Sequence, residues 1–167
     1  MRIAVDYIQG TNGSYFTYLG NVFLIPTRAF HVPFDDINRS HTLERSDSFL
    51  FECGHYYYSG FPREFTHVVY IDIEKSDLPI LRTMKLAKNL PNDVMMHLLE
   101  KPVYYRDNNV FRLPWKSFFD LDLFLLELDR LCKFLNINKC QDSRLLDIHR
   151  EFIQRHQFLF KNTDNPV

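Results

Sequence analysis

Gly10, Thr11, Asn12, Gly13 and Ser14, together with His55, are the positions at which this sequence offers chemistry. The glycine turn follows a short apolar run at residues 3–8 and precedes a segment of helical periodicity. A strand, a glycine turn and a helix N-terminus bring backbone N–H groups together, and the helix dipole favours negative charge there. The pattern is that of an anion cradle, with the Thr11 and Ser14 hydroxyls as further donors. A phosphate loop normally carries a lysine or arginine, and none lies in this turn. The competing reading of the same residues is an ordinary tight turn and helix cap.

His55 closes the short run Cys53-Gly54-His55 at the end of a predicted strand. A histidine titrates near neutrality, so it suits a general base that takes a proton from an attacking hydroxyl. The bland alternative is a polar strand-end residue bonded to backbone. Neither a CxxC nor an HxxxH accompanies the cluster, so no metal site is expected. His149 and His156 lie seven residues apart, two helical turns, which is too far to chelate one ion directly. Tyr56, Tyr57 and Tyr58 offer stacking surface for an adenine or sugar, or simply alternate sides of a strand.

The elements that must position these residues follow from periodicity. Ser14 is the expected cap of a helix over roughly 15–25, with Pro26 and Pro33 beyond it. Residues 26–48 read as a long surface connection. Strands are expected over 49–53 and 66–73, the second with a continuous apolar middle suited to the interior of a parallel sheet. A helix starts at Ser76 or Asp77, and a short one is expected over 92–100. Residues 103–105 and 109–113 look extended, with Asp107-Asn108-Asn109 as the turn between them. Asp120 caps the clearest helix, in which Leu121, Phe124, Leu128, Leu131 and Leu135 form a core stripe. A last helix runs from Asp142 or Ser143 to about 157. Strands alternating with helices predict an α/β, three-layer P-loop-like domain, with a mainly parallel sheet and helices on both faces. Ligands in such folds bind beyond the carboxyl ends of the strands, which puts residues 10–14, 54–55 and 73–76 along one rim.

Composition narrows the setting. The chain has 167 residues, enough for one well-filled core, and reads as a single domain over 1–160 with a flexible tail at 161–167. A formal net charge of −1 gives no global reason to expect nucleic acid or an anionic membrane as partner. The longest apolar runs fall short of the ~20 residues of a membrane span. Three cysteines, with no secretory segment before the first strand, point to reduced thiols and a cytoplasmic setting.

The order of these features resembles the sulfotransferase family of the P-loop nucleotide-binding fold, and is most similar to short sulfotransferase-like proteins of marine phages. Gly10-Thr-Asn-Gly-Ser-Tyr-Phe16 is similar to the loop and helix start that hold the phosphosulfate of 3′-phosphoadenosine 5′-phosphosulfate. Phe51-Glu-Cys-Gly-His55 resembles the strand that ends in a Lys-Ser/Thr-His motif, whose histidine is the catalytic base. Thr66-His-Val-Val-Tyr-Ile-Asp-Ile73 resembles the strand leading to the 3′-phosphate site, and residues 111–119 with the following helix resemble the family's Tyr-Glu-Asp-Leu segment.

The resemblance implies transfer of sulfuryl to a hydroxyl or amine on a small-molecule or glycan acceptor. His55 would be the base, residues 10–14 the cradle, and Lys75 or Arg82 would approach the 3′-phosphate. The departures fall on the donor-binding charges. Thr11 or Asn12 stands where the family has Lys or Arg, and Cys53 stands where it has the lysine before the histidine. Ile73 or a neighbour replaces an arginine, and the family's serine falls near Leu81. A charge-assisted phosphate contact is worth ~1.5–3 kcal/mol, so these losses weigh on donor affinity. The rival expectation is a non-catalytic binding or assembly module with a protein partner, for example in a virion or acting on a host protein.

Overall fold

The computed structural model describes residues 1–7, 11–24, 51–54, 65–83, 91, 96, 99–138 and 143–156. Among the described residues four parallel strands form one sheet: β1 (Ile3–Asp6), β2 (Phe51–Gly54), β3 (His67–Asp72) and β4 (Val110–Pro114), in the order β2-β1-β3-β4. Ile3 pairs with Phe51 on one side of β1 and with His67 on the other, and Val68 pairs with Val110. β1 and β3 are therefore interior, as their unbroken apolar runs require.

The period of two divides the strand residues between two cores. Ile3, Val5, Val69, Ile71, Phe111 and Leu113 belong to the larger core. Ala4, Val68, Tyr70 and Val110 belong to a smaller one with Phe65 and Tyr104. β1 to β2 steps one way along the sheet and β3 to β4 the other, and the described parts of the two connections reach both faces. Helix α1 (Gly13–Leu19) accordingly packs on the larger core, while Tyr104 and Tyr105 of the β3–β4 connection cover the smaller.

Helix α2 (Leu78–Thr83) begins at the rim and turns Leu78 and Leu81 back into the larger core. Helices α3 (Leu121–Phe134) and α4 (Ser143–His156) follow β4 on that same core, contributing Phe124, Leu128, Leu131, Leu145 and Phe152. The Asp120 carboxylate accepts the Leu123 N–H at 3.0 Å, so the predicted cap of α3 is in place.

Three local expectations change. Ser14 is not the cap of α1: Asn12 is, in the left-handed region at φ 66°, without a side-chain cap bond, and Ser14 lies inside the first turn. The helical run covers 13–24, close to the expected 15–25, but after Leu19 it widens into a π-helical turn, Gly20–Leu24. At that point β2 comes close, and a Cβ on Gly20 would sit 2.7 Å from the Phe51 ring. The wide turn then aims Asn21 at the outer edge of β2. There its amide nitrogen donates to the Phe51 carbonyl and its oxygen accepts the Phe51 N–H, each at 2.9 Å. One side chain thus stands in for a neighbouring strand on what is, among the described residues, the outer edge of the sheet. Finally, Val103–Arg106 is a 3-10 turn and not a strand. The expected surface connection at 26–48 and most of the helix at 92–100 lie outside the described residues.

Candidate functional site at the strand ends

The chain reverses its direction of travel along the sheet between β1 and β3. Strand order 2-1-3-4 opens the doubly wound arrangement whose ligand crevice lies beyond the carboxyl ends of those two strands. Asp6 ends β1 and Asp72 ends β3; Asp6 pairs in register with Tyr70, so both carboxyls lie on the same sheet face.

Asp6 is completely buried and accepts the Tyr104 hydroxyl proton in a hydrogen bond. Asp72 accepts from the adjacent Tyr105 hydroxyl and from the Lys101 ammonium, and Lys101 also donates to the Ile73 carbonyl at 2.8 Å. Burial first, and then the bond to Asp72, push the Tyr105 phenol above its ordinary pKa. Just beyond β3, Glu74 and Asp77 form a reciprocal capping box, with the Glu74 N–H donating to Asp77 at 2.8 Å. Burial raises the Asp77 pKa, the Glu74 N–H bond pulls it back, and the nearby Glu74 carboxylate raises it again. Lys116 reaches Glu74 at 3.4 Å.

The opening turn is described from Thr11 onward. Thr11 is fully buried, Ser14 is half-buried, and the first helical bond runs from the Phe16 N–H to the Asn12 carbonyl at 3.0 Å. Gly13 lies against the Tyr7 ring so closely that a Cβ there would meet Tyr7 Cγ at 2.1 Å. The second glycine is therefore required by aromatic packing within the chain, which needs no ligand to explain it. One polar atom of the turn stands apart: Asn12 Nδ2 is buried with no hydrogen-bond partner.

The sequence-predicted residues are only partly brought together. Thr11, Asn12, Gly13 and Ser14 form one turn, whereas Gly10 and His55 lie outside the described residues. Lys75 is exposed in the 3-10 turn after β3, and Arg82 is exposed in the last turn of α2. Ile73 and Leu81, the positions that the sulfotransferase resemblance sets near a donor-site arginine and serine, are both fully buried core residues. Lys101, Tyr104 and Tyr105 were not singled out by the sequence. Their partners are 28 to 98 residues away, and only strand pairing brings them together. Among the described residues no cluster of three His, Cys, Asp or Glu is placed to hold a metal, and no helix is long and apolar enough to cross a membrane.

No family model, no curated protein and no solved structure matches the chain. Doubly wound sheets serve many chemistries, so the fold alone assigns none to this chain.

Proposed function

We propose that the chain is a sulfotransferase-like α/β fold that serves as a non-catalytic binding or assembly module. The observation that carries this reading is the charge at the rim. Asp6, Asp72, Glu74 and Asp77 gather at the ends of β1 and β3, and the Lys101 and Lys116 ammonium groups there are engaged by Asp72 and Glu74. A phosphosulfate donor needs unspent positive charge at that place, and carboxylates oppose it. The buried Ile73 and Leu81 point the same way, because both have been given to the core. The partner of such a module is a protein.

A second reading, sulfuryl transfer from 3′-phosphoadenosine 5′-phosphosulfate to a hydroxyl or amine, is favoured by the unpartnered Asn12 Nδ2 at the start of α1. In that reading residues 10–14 hold the phosphosulfate, Lys75 or Arg82 approaches the 3′-phosphate, and His55 removes the acceptor proton.

Calorimetry with 3′-phosphoadenosine 5′-phosphate separates the two. The module reading expects no heat at millimolar nucleotide, together with a stoichiometric complex rebuilt from purified chain and an identified co-purifying protein. Micromolar nucleotide binding, weakened by Ser14→Asp and by His55→Ala, would overturn it in favour of transfer. Ser14→Asp is chosen over a change at Gly13 because it adds charge at the turn without driving an atom into Tyr7.

A further inference from the structure

The Lys101 ammonium sits in a slot with the attributes of a receptor for a primary amine. On one side is the Asp72 carboxylate, which accepts one of its protons. The Ile73 carbonyl accepts a second at 2.8 Å. Two aromatic faces complete the enclosure, with the ammonium 5.5 Å from the Tyr105 ring centroid and 5.9 Å from that of Tyr70. A carboxylate, a carbonyl oxygen and aromatic faces within about 6 Å are the groups that select a compact alkylammonium over a neutral isostere.

Most of the slot is built independently of Lys101. Tyr70 and Asp72 are fixed by the pairing of β3 with its neighbours, and Tyr70 and Ile73 by burial. Tyr105 is held by its own hydroxyl bond to Asp72, with the Arg112 guanidinium 5.2 Å from its ring. Tyr104, the preceding residue, anchors the same turn to Asp6. Lys101, by contrast, reaches in from the connection preceding that turn, and its side chain keeps 31% of its exposure against 16% for Asp72. It is the removable component.

We propose that the Asp72–Ile73–Tyr70–Tyr105 slot is a binding site for a primary alkylammonium group, occupied in this state by Lys101 as an intramolecular stand-in. The ligand is a free amine or the side chain of a lysine on a partner, which displaces Lys101. Neither source requires an anion at the β1–α1 turn.

The test is thermal unfolding of the 167-residue chain carrying Lys101→Ala with n-butylammonium chloride and, in a second arm, the capped peptide acetyl-Gly-Lys-Gly-amide. At ten times its dissociation constant, n-butylammonium should raise the midpoint by about 3–6 °C, saturably. The wild-type chain should need at least roughly tenfold more amine for the same shift, because Lys101 competes at high effective concentration. n-Butanol, or sodium chloride at equal ionic strength, should give no such shift, and Lys101→Ala/Asp72→Asn should lose the response. A response to butylammonium alone assigns the slot to free amines, and a response to both admits a partner lysine. No saturable shift in Lys101→Ala, or an equal shift in the double variant, overturns the proposal. If Lys101→Ala does not fold, Lys101→Met, which keeps the apolar stem, is subject to the same outcomes.

Discussion

His149 makes the stability of this protein depend on pH in a direction and by an amount that can be worked out. Its ring is fully buried on α4, stacked on Phe124 at 3.6 Å and flanked by Tyr15 and Phe152. Nδ1 shares a 2.8 Å hydrogen bond with the Tyr15 hydroxyl, while Nε2 is buried with no partner. Protonation would place a cation among aromatic rings with one N–H unsatisfied, so burial pulls the pKa down from 6.5 to about 3. A histidine depressed in the folded state leaves the unfolded chain binding more protons between those two values. Stability is complete above pH 6.5 and falls as the pH drops toward 3.

Each pH unit in that window withdraws about 1.4 kcal/mol, so pH 4.5 should be less stable than pH 7.5 by roughly 2.7 kcal/mol from this residue alone. That is a large share of the ~5–15 kcal/mol typical of a folded domain. Urea titrations followed by the fluorescence of Trp115, the single tryptophan and a buried one, measure it directly. His149→Phe should flatten most of the slope. Asp77 acts in the opposite sense, because its raised pKa favours the folded state as the pH falls through the region just above 3.8, so the comparison is between wild type and variant at each pH. An undiminished slope in His149→Phe, or a wild type equally stable at pH 4.5 and 7.5, refutes the reasoning.

Other substitutions test the frame around the site. Gly13→Ala should cost at least about 2 kcal/mol by forcing the Tyr7 ring aside, and Tyr7→Ala should recover part of it, a coupling that a double-mutant cycle in urea reads out. Asn21→Ala uncovers the Phe51 N–H and carbonyl on the β2 edge, and should lower stability by about 1–3 kcal/mol while accelerating amide exchange at Phe51. Asp120→Ala removes the α3 cap and should cost about 1 kcal/mol, measurable as a lower urea midpoint with an unchanged m-value. Ser14→Asp adds an acid to the first turn of α1 and should stabilise by about 0.3–1 kcal/mol, seen as a higher melting temperature.

What the amino-acid sequence makes legible is local rules that reinforce one another. The apolar middle of β3 specified an interior parallel strand, and the stripe from Leu121 to Leu135 with Asp120 before it specified a capped helix. Where a local rule met a tertiary demand, it lost. Val103-Tyr104-Tyr105 has the composition of a strand, yet two phenols reaching two strand-end carboxylates draw it into a 3-10 turn. Ser14 is a good capping residue by type, but the packing of Tyr7 on Gly13 sets the helix start, and Asn12 takes the left-handed position before it. Gly13 itself was legible as special, though its reason was not, since a glycine admitting an aromatic ring and one admitting a phosphate look alike in one dimension.

The same distinction governs the chemistry of the rim. A scarcity of lysine in the glycine turn can be read from the sequence, but a surplus of carboxylate across two strand ends cannot. It arises because parallel pairing in register brings Asp6 level with Tyr70, on the same face as Asp72. Once both carboxyls are there, a connection passing over them is stabilised by donors, and residues 101–105 supply two phenols and an ammonium. The positive charge that an anion site would need is thereby drawn to the protein's own acids. In the Lys101 slot it meets a polarity opposite to that of a phosphate cradle. The sign of the charge at the rim, more than the shape of the opening turn, decides which class of ligand these strand ends can receive.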